Sequence, residues 1–297
     1  MKTTAYISTR RPSRSKSGPI SAGRWGGRVL LGLFLLVTAL LILFPLVVTA
    51  FGSFMTNAEI SAGGKLIPAV WQFSNYQEAW VQAHFSRFLW NSVFLSAAST
   101  VGTLIVASMA AYVVDRMAFP GKVLFVGLQA STMFISIGAV VLRPQFQLMV
   151  KLHLHTTLWG VVLILINAHA YIFFILLSFL KGVSRELDEA ARIDGCSNAG
   201  IYWRILLPLL RPALGVGALF TFCGAWNEYL RPLVFTLNNP ELQTLTVGLS
   251  YLRYGPSAAV QTHYMFAGAC LSILPLLLVY MIANKSFMQM TEGSLKG

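Results

Sequence analysis

The sequence predicts an all-α membrane protein with six transmembrane helices, and three observations carry that prediction. Hydrophobic residues fill 56% of the 297 positions and charged residues only 11%. With a mean hydropathy of +0.67, the chain lies outside the balance of an ordinary soluble domain. The apolar residues gather into six runs of about 20 residues or more, the length a helix needs to cross a hydrocarbon core of about 30 Å. The basic residues gather in alternate connections between those runs, as orientation in a membrane requires.

The same numbers exclude several function classes. A net charge of +12, from 22 Lys and Arg against 10 Asp and Glu, would suit a nucleic-acid partner in a soluble protein. In a membrane chain, basic residues first serve orientation on the cytoplasmic side, so no nucleic acid is expected. Cys196, Cys223 and Cys270 lie too far apart for a disulfide framework or a metal site and read as packing residues. No GxxxxGK[ST] phosphate loop, HExxH or G-x-S-x-G occurs, so neither ATP hydrolysis nor these hydrolytic reactions can be placed on this chain. No catalytic residue, metal ligand or resident cofactor is expected, and energy for any transport must come from a partner.

Taken in order, residues 1–28 form a basic arm rich in Ser, Gly and Pro, with seven Lys or Arg and no acid. It reads as a disordered cytoplasmic segment. The six-helix membrane domain is expected over 29–284. Its first span, Val29 to Phe51, is too long for the apolar core of a signal peptide, and further spans follow. The second, Phe88 to Val114, carries Ala97, Ser99, Ala107, Ser108, Ala110 and Ala111, small residues that let helices approach closely in a bilayer. A turn at Pro120 and Gly121 leads to the third span, Val123 to Leu142. The fourth, Leu158 to Leu180, holds Asn167 and His169 near its middle. Buried polar groups there face other helices or an aqueous path; His169 reads as a hydrogen-bonded packing residue before a proton relay. The fifth, Ile205 to Phe235, is interrupted by Pro208 and Pro212 and then by Trp226, Asn227, Glu228, Arg231 and Pro232. The sixth is Tyr264 to Ala283, and 285–297 is a short polar tail.

Six spans put both termini on one side. The arm, Arg116 and Lys122, the segment between spans four and five, and the tail hold 16 of the 22 Lys and Arg. The other side holds Lys65, Arg87, Arg143, Lys151, Arg231 and Arg253. Both termini are therefore assigned to the cytoplasm, together with the loop between spans four and five.

That loop, within 184–208, is a polar island in an apolar chain. Ser184 can cap a helix whose first turns hold Glu186, Asp188 and Glu189, where carboxylates favour the positive helix end. Asp188 and Arg192, four apart, can pair across one turn, and Leu187, Ala190 and Ala191 form a smooth strip. Gly195 stops the helix and Ser197 caps the next. The expected product is an exposed helix-turn-helix knob suited to docking another protein.

At these residues a family resemblance becomes specific. Glu189-Ala190-Ala191, Gly195 after three residues, then Ile205 and Leu207-Pro208 resemble the EAA loop of permease subunits of bacterial ATP-binding-cassette importers. Asn91-Ser92, Ala110-Ala111-Tyr112 with Gly121, Trp226-Asn227-Glu228 with Pro232-Leu233, and Thr246-Val247-Gly248-Leu249 are similar to stretches of the carbohydrate-uptake, maltose-permease branch. So is the ending Thr291 to Gly297. The chain departs from the family in having Val183-Ser184 where Ile-Pro is usual, and a longer arm.

The resemblance implies a type I importer permease fold with a cytoplasmic coupling helix, in the bacterial inner membrane. Glu189, Ala190, Ala191, Gly195 and Pro208 would engage an ATPase dimer that carries ATP and Mg. Gly293, Lys296 and Gly297 in the tail would touch the same partner. A second permease subunit would complete the path, and an extracytoplasmic solute-binding protein would deliver a saccharide. Asn167, Asn227 and Glu228 are the candidate path residues. Arg143, Lys151, Arg231 and Arg253 on the outer side leave room for an acidic saccharide or glycerol phosphate as well as a neutral sugar. The competing readings are a plain surface helix for the Glu-Ala-Ala run and an autonomous ion-coupled secondary transporter. The latter would want ionisable residues near the midplane, and Glu228 is the only acid inside these spans.

Overall fold

A computed structural model describes residues 22–82, 84–135, 138–167, 170–252 and 261–294. The chain divides into two compact units, Met1–Val48 and Thr49–Gly297. In the first, the described part is helix α1 (Ala22–Gly52), which continues past the boundary. Its stretch Gly27–Gly52 is long and apolar enough to span a membrane, and Thr38 Oγ1 folds back onto the Phe34 carbonyl at 2.8 Å. Residues 22–28, read as the end of a disordered arm, are instead the first turns of α1; residues 1–21 lie outside the described residues.

The second unit begins with two short helices, α2 (Asn57–Ala62) and α3 (Ser74–Gln82). Thr56 and Glu59 form a capping box at the start of α2: each side chain accepts the other's backbone N–H, at 2.9 and 3.3 Å. Glu59 also accepts from Ala69 N–H. The two backbone donors hold its carboxyl below the usual carboxylate range. This anchor is complete above the ordinary Glu value and is lost as pH falls through the lowered one.

Helix α4 (Phe85–Arg116) is the longest described span of this unit apart from the terminal helix, and everything else is arranged along it. It is followed by α5 (Lys122–Phe134), a 3-10 turn at Gly138–Val141, α6 (Leu142–Lys151), α7 (Leu158–Ile166) and α8 (Ala170–Lys181). The polar island gives α9 (Glu186–Ile193) and α10 (Asn198–Ile201). A π-turn over Tyr202–Leu206, α11 (Leu207–Leu209), α12 (Arg211–Trp226) and α13 (Leu230–Thr236) follow. The chain closes with α14 (Leu245–Tyr251) and α15 (Thr262–Ser294).

Three apolar clusters are strung along α4. Phe85 and Phe88 pack with Ala79, Trp226, Leu245 and Ala267. Leu95 packs with Met149, Val161, Val162 and Phe235. Ala107, Ala111 and Tyr112 pack with Phe173, Leu176, Ile201 and Leu206. The small residues foreseen in the second span are what permits this. Ser99, Ala107, Ser108 and Ala111 among them are buried, as is Ser96, whereas Ala97 is exposed, and van der Waals packing between close backbones is the main attraction available inside a bilayer.

Two stretches far apart in sequence meet on the same helix. Asn91 Nδ2 donates to the carbonyls of Glu241 and Gln243, at 2.8 and 2.9 Å, and Ser92 Oγ accepts from Leu245 N–H at 2.8 Å. The chain before α14, a 3-10 turn at Pro240–Leu242 and the two residues after it, thereby finds partners for backbone groups that water would otherwise serve. Gly248 lies against the Phe88 ring with no room for a Cβ.

The span count differs from expectation in an instructive way. Among the described residues three helices are long and apolar enough to cross alone, and five spans result if each of two bent pairs is one. The pairs are α7 with α8, bent by 47°, and α10–α11 with α12, bent by 77°. The second bend falls where Pro208 and Pro212 remove backbone donors. The third predicted span, Val123 to Leu142, is instead a 13-residue helix that ends at Phe134, followed by a separate turn from Gly138. At about 1.5 Å per residue α5 falls short of the hydrocarbon core. The polar tail, read from residue 285, continues the α15 helix to Ser294.

Close packing makes one glycine pair diagnostic. A Cβ on Gly160 would lie 2.5 Å from the Leu154 carbonyl oxygen and 3.3 Å from the Phe235 ring, whereas one on Gly127 would meet nothing within 4 Å. Gly160→Ala is expected to destabilise by about 1–3 kcal/mol through overpacking. Gly127→Ala should be neutral or stabilise by up to about 1 kcal/mol. Thermal unfolding of the purified protein in detergent distinguishes the two.

Candidate functional site

The polar island folds as a helical hairpin with an inner and an outer face. Glu186, Asp188 and Glu189 occupy the first turn of α9, where carboxylates complement the helix dipole. Ser184 Oγ accepts from Glu186 N–H at 3.2 Å, while Arg185 holds the cap position itself. The helix ends in a Schellman motif: Gly195, at φ +83°, donates to the Arg192 carbonyl at 3.0 Å, and Cys196 donates to that of Ala191 at 2.9 Å. Ser197 then caps α10 by accepting from Gly200 N–H at 3.2 Å.

Asp188 does not pair with Arg192. It is buried, and its Oδ2 lies 2.8 Å from Nε of Arg116 at the end of α4. A buried carboxylate needs a buried cation, and Arg192 is exposed at the rim. Arg116 also meets Asp115 Oδ2 at 3.2 Å and donates to the Val183 carbonyl at 2.9 Å. Arg185 donates to the Asp115 carbonyl from the outside. The foreseen strip divides for the same reason. Ala191, on the side of Asp188, is buried, whereas Leu187, Ala190 and Ile193 are exposed, with Ile193 at 87%.

Glu189 and Pro208 are also exposed. The second helix of the hairpin is tied to α4 by Tyr112 Oη donating to the Asn198 carbonyl at 3.1 Å, and by a 2.8 Å hydrogen bond between the Ser108 and Tyr202 hydroxyls. Of the tail residues, Gly293 lies in the last turn of α15; Lys296 and Gly297 lie outside the described residues.

A cavity of about 860 Å³ opens among α5, α6, α7, α8 and the start of α13. It brings together Asn167 and Glu228, 61 residues apart in sequence. Its polar lining also includes Gln129, Thr132, Gln145, Tyr171 and Arg231. Glu228 Oε2 meets Arg231 Nη1 at 2.6 Å, and Glu228 Oε1 accepts Arg231 N–H at 3.2 Å. Thr246 Oγ1 donates to the Glu228 carbonyl, holding this break to α14. A smaller cavity of about 250 Å³ shares Tyr171, Glu228 and Arg231 and reaches Ser99 on α4. Asn227 is not part of either lining; its amide folds back onto the Cys223 carbonyl at 2.9 Å. His169 and Arg253 lie outside the described residues.

Gln129, Gln145, Tyr171 and Arg116 were not foreseen as site residues. Gln129, a polar residue in an apolar run, is the one signal that could have found any of them; Gln145 follows Arg143 and Pro144 in an amphipathic stretch. Nothing local marks Arg116, whose partner lies 72 residues away.

Apolar spans gathered on a central helix, with a polar helical hairpin at one end and a polar cavity between broken helices, define a membrane-embedded transport subunit. The chain belongs to the family described as binding-protein-dependent transport system inner membrane component, which it matches over residues 17–289. It is 32% identical over 277 residues to the arabinooligosaccharides transport system permease AraQ of Bacillus subtilis, covering 91% of this chain and 96% of the relative. A probable ABC transporter permease, YurM, of the same organism is 30% identical over 276 residues, covering 91% and 89%. The sn-glycerol-3-phosphate permease UgpE of Brucella abortus is 29% identical over 265 residues, covering 86% and 93%.

Among solved structures, a bacterial ABC transporter that imports the acidic polysaccharide alginate has the same fold. It superposes with a TM-score of 0.77 at 23% identity, over 91% of this chain and 99% of that one. The inward-facing MetNI methionine transporter shares it more distantly, at a TM-score of 0.52. The chain is therefore a multi-pass inner-membrane component of carbohydrate-uptake type, with the type I importer permease fold. Membership in a binding-protein-dependent family sets aside the ion-coupled alternative.

Gly195 gives the hairpin a local test. An L-residue in the left-handed region costs about 1–2 kcal/mol, and a Cβ there would meet nothing within 4 Å. Gly195→Ala should therefore destabilise through strain alone, and Gly195→Asn, which tolerates this conformation better, by less. Protease susceptibility of the 194–197 turn in membranes reads the difference.

Proposed function

We propose that the chain forms half of the translocation path of an ATP-driven saccharide importer and docks its ATPase through the outer face of α9. The observation that carries the reading is the division of α9 into an inner face fixed by Asp188 and Ala191 and an outer face of Leu187, Ala190 and Ile193. Exposed apolar side chains on a rigidly held helix, with Glu189 beside them, suit a cleft in a partner protein. Glu189, Ala190, Ala191, Gly195 and Pro208 form or support this surface, and Gly293, Lys296 and Gly297 extend it from the tail. Both termini and the hairpin face the cytoplasm, in keeping with the distribution of basic residues.

ATP and Mg belong to the partner. This chain catalyses nothing: its part is to change shape when the ATPase dimer closes, and a docked helix supplies the state-dependent contacts such a shift requires. A second permease subunit completes the path and an extracytoplasmic binding protein supplies cargo.

For the cargo we favour a neutral, hydroxyl-rich saccharide. Glu228 neutralises Arg231 at 2.6 Å, which leaves uncharged amide and hydroxyl groups as the other polar part of a lining completed by the Tyr171 ring and aliphatic side chains such as Val141, Leu142 and Ile164. Such a lining matches sugar hydroxyls better than a free carboxylate or phosphate. AraQ is named for arabinooligosaccharides, in keeping with this choice.

Reconstituted alone, the chain should neither transport nor hydrolyse ATP; ion-driven uptake without any ATPase would overturn the importer reading. In the complete complex, Glu189→Lys should release the ATPase, seen as loss of co-purification, while membrane insertion stays intact. Glu228→Gln, which unmasks Arg231, should lower uptake of a neutral oligosaccharide several-fold and favour an anionic one in competition. An unchanged preference would count against the cavity as the path.

A further inference from the structure

The hairpin has two physical routes into the membrane bundle. One is covalent: α10 runs through the π-turn and α11 into α12. That route is broken twice. The π-turn carries an i→i+5 bond from Leu207 N–H to the Tyr202 carbonyl, and the chain bends by 77° before α12. A π-turn and a proline bend are places where a helix yields, so a push on α9 is poorly transmitted along the chain.

The other route is non-covalent and runs to α4. The Arg116 side chain is 3% exposed and those of Asp115 and Asp188 are 5% exposed. Arg116 thus joins three points at once: Asp115 on its own helix, the Val183 carbonyl in the link before α9, and Asp188 on α9 itself. Separating a buried pair strands a charge away from water, which is strongly unfavourable. Moving two helices together strands none. Farther along α4, Tyr112 and Ser108 hold Asn198 of α10 and Tyr202, the first residue of the π-turn. The last third of α4 therefore grips both limbs of the hairpin, and α4 also threads all three apolar clusters.

We propose that Arg116 is the positioning residue that locks α9 to α4, so that α4, not the chain-continuous α12, receives the displacement when the ATPase closes. This rests on the reading of α9 as the docking helix. In this arrangement α9 and α4 travel as one body, and α12 follows through its packing on α4, where Leu210 and Ala213 share a buried cluster with Ala107 and Ala111. The exposed Arg185, 4.0 Å from Asp115 Oδ1, adds little, because water screens it.

The test uses the complete reconstituted importer with Cys196, Cys223 and Cys270 replaced by serine. Spin-label pairs are placed at Glu186→Cys with Met109→Cys, joining α9 to α4, and at Glu186→Cys with Phe220→Cys, joining α9 to α12. Distances are measured without nucleotide and after trapping with MgATP and vanadate. The α9–α4 distance should be the same in both states, and the α9–α12 distance should follow it because α12 is packed on α4. Arg116→Met should make the α9–α4 distance shift, with the ATPase still bound and its stimulation by the binding protein lost. Arg116→Asp combined with Asp188→Arg should return the fixed distance. If Arg116→Met fails to insert, Asp188→Asn, which keeps the side-chain shape, carries the same expectation.

An α9–α4 distance that shifts in the unaltered pairing overturns the proposal. So does an Arg116→Met protein that behaves like the parent, or one that sheds its ATPase, which would assign Arg116 to the shape of the docking surface. The underlying reading is checked separately. If Glu189→Lys leaves the ATPase bound, both readings fall; if it releases the ATPase and Arg116→Met is silent, only the lock falls.

Discussion

Inside a bilayer no water is available to a backbone N–H or C=O that a helix leaves unpaired, and each such group costs several kcal/mol. This chain nevertheless breaks its helices repeatedly: after α5, between α7 and α8, at the start of α12, and on both sides of α13. The architecture is the answer to that constraint. Polar side chains on α4 and beside the breaks serve the exposed backbone. Asn91 reaches two carbonyls, Ser92 accepts one N–H, and Thr246 reaches the carbonyl of Glu228. Small neighbours on α4 let the broken segments come close enough to be served.

The breaks also make the cavity. Where α7 ends at Asn167 and α12 gives way to Glu228, polar groups face a cavity of about 860 Å³ rather than lipid. Irregular backbone at membrane depth is tolerated where it lines such a space. The pairing of Glu228 with Arg231 follows the same logic, since a lone charge there would be costly and a paired one leaves the wall net neutral. The polar groups of the cavity wall and the irregularity of the helices are thus one feature.

The hairpin is held by charge. A buried ion cluster is weak evidence for added stability, because desolvation offsets much of the attraction. It is better evidence for register: Arg116 fits only where two carboxylates and the Val183 carbonyl converge. The inner face of α9 is fixed by this requirement, and its outer face is left free.

The sequence by itself determined the class of the molecule. Apolar runs fix a membrane chain, because hydrocarbon length is a one-dimensional demand that consecutive residues meet. The hairpin was legible for a similar reason: its stop at Gly195 and its cap at Ser197 act within a few residues of themselves and were found in use, while Ser184 supports the first turn of α9 from one position before the cap. What only the tertiary structure decided is every partnership between distant segments. A four-residue spacing offered Asp188 to Arg192, but burial delivered it to Arg116. The third span read as continuous from Val123 to Leu142, yet the helix stops at Phe134, since hydropathy records how apolar a run is and not where its backbone turns. Asn167 and Glu228 could be suspected singly, as polar groups in apolar runs. That they share one cavity with Gln129, Gln145 and Tyr171, while Asn227 turns back on its own helix, depends on how the broken helices pack.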